Sequence, residues 1–331
     1  MKKYFISLAS FLVAFNAKAI EIGPTGSGLE LSGFVDLYFA TQKDVETTDV
    51  SQVEINLDFE DGPVSVSVDF DLYDSATNGA MLEEAIITYD FGNGFSVTGG
   101  KMLSYLGFEA YDPTNMYQYS YAYDVNSGGG QDIYDAYDDG VSVDYGNDMF
   151  SLGIFSSVEQ DGGYEYALAF TGIENLTVKA IMADWDAYET TTYWASYQMD
   201  KLLLAVEVAE KDNTTGDDIE GWLIMGNYAV TDSMGLTIRY SEEEIGTAEY
   251  DKFTISPSYV FTDSLSGLIE YSTYSVNAAG TDPGDLAAVE VIFTFYFQSR
   301  SLLLLRAGVV PGPLLWLKRG ERNMSVLYGL N

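Results

Sequence analysis

Between residues 53 and 72 an apolar side chain occupies every second position. Val53, Ile55, Leu57 and Phe59 alternate with Glu54, Asn56, Asp58 and Glu60. After Asp61-Gly62-Pro63 the alternation resumes, with Val64, Val66, Val68, Phe70 and Leu72 set against Ser65, Ser67, Asp69 and Asp71. Successive side chains of a strand point to opposite faces, whereas a helix would scatter both sets round its circumference. The stretch therefore predicts a hairpin with one apolar and one acidic face.

The same alternation recurs as far as residue 297 and predicts sixteen strands, the first over 29–39 and the last over 286–297. Connections at one end are tight, as at Asp61–Pro63, Gly92–Gly94, Gly146–Asp148 and Asp200–Lys201. Those at the other end are longer and polar, including 41–50, 211–218 and 277–285, and the third of them, 103–138, is the longest. An antiparallel meander of this kind has the form of a transmembrane β-barrel, whose strands need roughly 9–11 residues to cross a bilayer at a tilt. Lipid offers backbone amides no partners, so the sheet closes on itself and leaves no edge. The predicted fold class is all-β, a closed antiparallel transmembrane β-barrel of about sixteen strands, with short periplasmic turns and long outer loops. Its apolar face meets lipid and its acidic face a water-filled interior. Aromatic residues beside the tight turns, among them Phe59, Tyr89, Phe91, Phe95, Phe150 and Phe261, fit a girdle at the lipid–water boundary.

Composition sharpens this picture. The mean hydropathy of −0.01 looks soluble, but alternating Val with Asp averages to nothing while building one wholly apolar face. Residues 1–19, with Lys2-Lys3, an apolar stretch and Ala17-Lys18-Ala19, read as a signal peptide. Residues 20–297 form the barrel. The tail, 298–331, has five basic residues against one acid and no period of two, which suggests a frameshift or read-through after Phe297. Cysteine is absent, so an exported chain of this size takes nothing from disulfides.

Histidine is absent too. That removes the usual general base and the commonest zinc ligand, and with them the Ser-His and Asp-His arrangements of a hydrolase built on a barrel. No enzyme, cofactor or dedicated metal site is expected. Between residues 20 and 297 seven basic residues face fifty acids, a net charge of −43. Nucleic acid is disfavoured as a partner, and cations are favoured.

Three stretches together resemble the Gram-negative outer-membrane porins, and within them the OmpL-like putative β-barrel porin family. "LELSGFVDLYFA" (29–40) is similar to their opening strand. "EEAIITYDFGNGFSVTGGKMLSYLGFEAYDP" (83–113) is similar to their fourth strand, tight turn and fifth strand, leading into a Gly-x-Glu segment at Gly107-Phe108-Glu109. "VEVIFTFYF" ends in Phe297 like their terminal strand. The resemblance implies a location in the Gram-negative outer membrane, with surrounding lipid as a partner, and a channel for small hydrophilic solutes. It also implies a homotrimer if the count of sixteen strands holds. In such porins the third outer loop folds inward, and here that loop is the longest. One departure is plain: porin constrictions set loop acids against a wall of arginines, whereas this body has Arg239 alone.

The candidate pore wall is Asp36, Glu54, Asp58, Glu60, Asp69, Asp71 and Glu84, polar positions on adjacent strands; acidic rings favour the passage of cations. The candidate constriction loop carries Glu109, Asp112, Asp124, Asp132 and Asp135 among tyrosines. Either the loop folds inward and holds those carboxylates against a permeating ion, or it lies outside, packed on its neighbours by the tyrosines. Acidic runs such as Glu242-Glu243-Glu244 read as outer loop that screens diffusely with divalent ions. The function these residues support is a passive, cation-preferring diffusion channel. The alternative is a non-conducting barrel with a structural or adhesive role.

Overall fold

The structure, a computed structural model, describes residues 20–21, 28–43, 45–72, 80–109, 111–125, 131–159 and 162–296. The predicted signal peptide, 1–19, Phe297 and the tail from 298 lie outside the described residues.

A two-residue strand, β1 (Ile20–Glu21), pairs with the start of the first barrel strand. The barrel consists of β2 (Leu29–Gln42), β3 (Val45–Asp61), β4 (Val64–Leu72), β5 (Ala80–Gly92), β6 (Phe95–Leu103), β7 (Tyr137–Gly146), β8 (Phe150–Ser157) and β9 (Tyr164–Phe170). It continues with β10 (Leu176–Asp184), β11 (Tyr188–Met199), β12 (Leu202–Asn213), β13 (Ile219–Ala229), β14 (Met234–Ile245), β15 (Ala248–Thr262), β16 (Leu265–Val276) and β17 (Leu286–Tyr296). These sixteen strands pair antiparallel in chain order. β17 returns to β2 from Leu286↔Gln42 to Tyr296↔Ser32 and closes the barrel.

The alternation assigns the two faces as expected. On β12 Leu204, Val206 and Val208 are exposed on the outside, while Leu203, Ala205, Glu207 and Ala209 are buried. On β7 Val141 and Val143 face out and Ser142 and Asp144 face in. In the opening hairpin Asn56 pairs with Asp69 and Leu57 with Val68, and Asp71 is fully buried beside an exposed Leu72. Exposed and half-buried rings gather at the tight turns, with ring centres of Tyr89 and Phe91 4.8 Å apart, of Phe95 and Tyr145 4.6 Å apart and of Phe150 and Phe170 5.3 Å apart. The Asn93-Gly94 turn needs positive φ at both positions, 56° and 83°, which Asn-Gly supplies with a twist that matches the strands.

The outer connections differ from expectation. Within the polar stretch 41–50, residues 41–42 and 45–50 are strand, not loop: β2 turns at Lys43 (φ 46°) and β3 is paired from Val45. Likewise Glu242–Glu244 lies within β14, which turns into β15 at Gly246-Thr247. The strands run on beyond the apolar belt. There both faces meet water, so the hydrophobic period vanishes while backbone pairing persists. On β12 Glu210 and Asp212 continue the outer row begun by Leu204. The third outer connection, from Ser104 to Ala136, is the long one, and among its described residues its one helical element is a 3-10 turn at Pro113–Asn115.

Candidate functional site

The long connection folds into the barrel and packs on one side of the inner wall. Leu106, Phe108, Tyr123, Ile133 and Tyr134 form a buried cluster with Ala167, Ala183, Trp194, Ala205, Ala209, Leu223 and Met225 of β9 to β13. That side of the wall is built small where the loop lies on it. A Cβ at Gly221 would meet the Tyr123 ring at 2.5 Å, and one at Gly153 would meet the Tyr105 ring at 2.7 Å.

Polar contacts complete the docking. Wall carboxylates accept hydrogen bonds from the loop's backbone and hydroxyls: Glu165 takes Tyr105 N at 2.9 Å and Ser104 Oγ at 2.8 Å, Asp144 takes Tyr105 OH at 2.7 Å, Glu207 takes Phe108 N at 2.7 Å and Glu270 takes Ser120 N at 2.9 Å. Burial and the adjacent Asp144 push the Tyr105 hydroxyl far above its ordinary range, so it stays a donor. Arg239 and Lys252 supply the opposite sign. The fully buried Arg239 pairs with Glu109 and donates to Ser120 O at 2.8 Å and Tyr121 O at 2.9 Å. Lys252 pairs with Asp124 at 2.6 Å and donates to Tyr121 O at 2.7 Å.

The predicted loop acids thus separate. Glu109 is buried, accepting also from Ala122 N and Gln118 Nε2 at 2.7 Å each. Asp124 is held by Lys252 and by Tyr274 OH at 3.2 Å. Asp132 faces Glu243 of β14. Asp135 stands at the outer mouth, 3.6 Å from Lys211. Asp112 alone of the five is turned to the opposite wall, where Glu54, Asp69, Asp71 and Glu84 of β3 to β5 act on it or feel its charge. Burial pushes the Asp112 carboxyl up to about 6, against a hydrogen bond with Glu54 that lowers it and the charge of Asp71 that raises it.

The predicted wall residues stand together on that opposite side. Asp36, Glu54 and Asp71 are buried within the barrel, Asp58, Asp69 and Glu84 are half-buried, and Glu60 is exposed beside the tight turn. Gln52 donates to Asp71 at 2.7 Å and Asn56 to Glu54, while Ser67 donates to Asp58 at 3.0 Å. Strict alternation missed Glu83. Asp69 pairs with Glu84 but Phe70 with Leu82, so Glu83 is the extra residue of a bulge. The bulge brings it inward, where its carboxylate gathers with those of Glu54 and Asp71, the three offering oxygens within 4.8 Å of one another. Missed too were Asp144, Glu165, Glu207, Glu270 and the buried Glu290. A signal was present: the inward positions of β9 to β13 include Ala167, Ala183, Ala205, Ala209, Leu223 and Met225, whereas those of β3 and β4 include Gln52, Glu54, Asn56, Asp58, Asp69 and Asp71.

The barrel therefore has a covered half, where the loop lies, and an acidic half from β2 to β5 that faces the loop across the lumen. Solved barrels share this form. OmpT of Vibrio cholerae, in its trimer form, superposes with a TM-score of 0.62 at 16% identity, over 81% of this chain and 99% of that one. An anion-selective porin from Comamonas acidovorans gives 0.63 at 13%, over 81% and 99%. The outer-membrane channel DcaP of Acinetobacter baumannii gives 0.62 at 12%, over 82% and 99%. The fold is that of outer-membrane porins. The chain is a β-barrel of the Gram-negative outer membrane: its described strands close antiparallel and its exterior is apolar. No protein-family model matches the sequence, and no curated protein matches it.

Proposed function

We propose that the chain is a porin: a passive diffusion channel for small hydrophilic solutes that prefers cations and carries out no covalent chemistry. The observation that carries the reading is the segregation of charge across the lumen. Arg239 and Lys252 are consumed in pinning the loop, which leaves Asp112 facing Glu54, Asp69, Asp71, Glu83 and Glu84. A passing ion then meets carboxylates on both sides, and such rings favour cations. Sixteen-stranded barrels are wide enough to leave an aqueous channel. An anion-selective porin has the same fold, so the sign of selectivity comes from the lining and not from the barrel.

The finer parts of the proposal are membership of the OmpL-like porin family, assembly as a trimer, and the wall and constriction roles of the residues named above. The trimer form of OmpT supports the second. Reversal potential in planar bilayers across a KCl gradient tests the function directly. Potassium is expected to permeate more readily than chloride; an absence of conductance steps, or a reversal potential on the chloride side, would refute the proposal.

A further inference from the structure

A second concavity lies at the outer mouth, where the neck of the inserted loop meets the ends of β8 to β11. It has a volume of about 250 Å³. Tyr137, Trp185 and Tyr188 supply aromatic surface to it, and Asp135, Asp138 and Glu165 supply carboxylates. Trp185 stands between Phe155 and Tyr188, 6.3 Å from each ring. The cleft is open to water: Asp135 is 61% exposed and Ala187 on its rim is exposed.

Its chemistry is specific. No basic residue lines it, and Oδ2 of Asp138 is buried without a hydrogen-bond partner among the described residues. Two of the protein's own ammonium groups lie over its rings. Lys211 Nζ lies 4.3 Å from the centre of the Tyr188 ring and 3.6 Å from Asp135. Lys101 Nζ lies 5.9 Å from the centre of the Tyr137 ring. Both tyrosine faces are thus already used as cation surfaces. Ring faces attract a cation within about 6 Å, and quaternary ammonium ions, weakly hydrated, gain most from them.

We infer that this cleft captures small organic ammonium ions at the outer mouth. As a solute preference of the channel this rests on the porin reading, but binding itself does not. The test uses the full-length barrel folded in detergent, with saturation-transfer NMR on the methyl protons of tetramethylammonium and choline. Saturable transfer is expected. Tyr188→Leu and Asp138→Asn are each expected to weaken binding about 2- to 30-fold. Lys211→Met, which removes the internal competitor, is expected to tighten it several-fold. Equal binding of 3,3-dimethylbutan-1-ol, the uncharged isostere of choline, would overturn the inference. So would unchanged affinity in all three variants, each first shown to be folded by circular dichroism. KCl conductance measured in parallel separates the two readings: ammonium binding without conductance removes the channel and leaves the cleft, and conductance without binding does the reverse.

Discussion

Replacing Arg239 by leucine removes the one arginine of the barrel and keeps most of its volume. In the native protein its guanidinium is fully buried, paired with Glu109, and donates to Ser120 O, Tyr121 O and Thr254 Oγ1 at 2.8, 2.9 and 3.3 Å. Arg239→Leu leaves the Glu109 carboxylate buried with Ala122 N and Gln118 Nε2 as its donors, each at 2.7 Å. Removing one partner of a buried ion pair costs about 3–5 kcal/mol, because the surviving charge is left uncompensated. The wall's own ladder does not use the Arg239 side chain, so the cost falls on docking of the loop. At about 1.4 kcal/mol per tenfold, the docked-to-undocked ratio falls by roughly two to nearly four powers of ten. Hydrogen exchange by mass spectrometry reads this directly. Peptides over 105–125 should exchange faster by that factor, up to the limit set by the freed loop, while peptides from β12 stay protected. Glu109→Leu added to Arg239→Leu should restore much of the protection, since an apolar pair needs no partner. Unchanged exchange in the single variant, or a double variant less protected than the single, would refute the reasoning.

Three further outcomes are expected. Asp58→Asn with Asp69→Asn should lower the potassium-to-chloride permeability ratio about two- to fivefold, since each charge about 8 Å from an ion's path is worth roughly 0.5 kcal/mol in water before screening; an unchanged ratio removes these two from the mechanism. Cation preference should be present above pH 7 and fall as the pH drops through about 6, because the raised Asp112 carboxyl is ionised above that value and neutral below it. Asp112→Asn should abolish that step in reversal-potential titrations, and a step that survives belongs to another group. Val206→Arg, on the exposed outer row of β12, should destabilise the barrel by about 2–4 kcal/mol in reversible unfolding in lipid if the residue sits near the bilayer midplane; a neutral outcome would place that face in water.

How much of this was legible depends on what writes the pattern. Within the apolar belt one face meets lipid and the other water, so Val141, Val143 and Val206 announce their facing by period two. Above the belt both faces are wet, so Glu46 and Glu244 read as loop although they are paired strand. Glu83 was invisible for a related reason: a bulge shifts the period by one, and a single extra residue leaves no compositional trace. The loop acids could be named but not sorted. Glu109 and Asp112 are three residues apart, yet one is neutralised by Arg239 across 130 positions of sequence and the other faces like charges. That difference comes from long-range partners, which local spacing does not encode.

The carboxylates that hold the loop come from β7, β9, β12 and β16, and the Ser120–Glu270 contact joins positions 150 apart in the chain. Such contacts cannot form while the strands are being laid down one after another, since most of the acceptors emerge only after the segment they will grip. The Ser120 end of the loop is therefore gripped only once the late strands have been brought round. An arrested assembly intermediate lacking β14 to β17 would keep the grips of Asp144, Glu165 and Glu207 on residues 104–108 and lose those of Arg239, Lys252 and Glu270 on residues 109–124, so the loop would be anchored at its neck and loose at its tip.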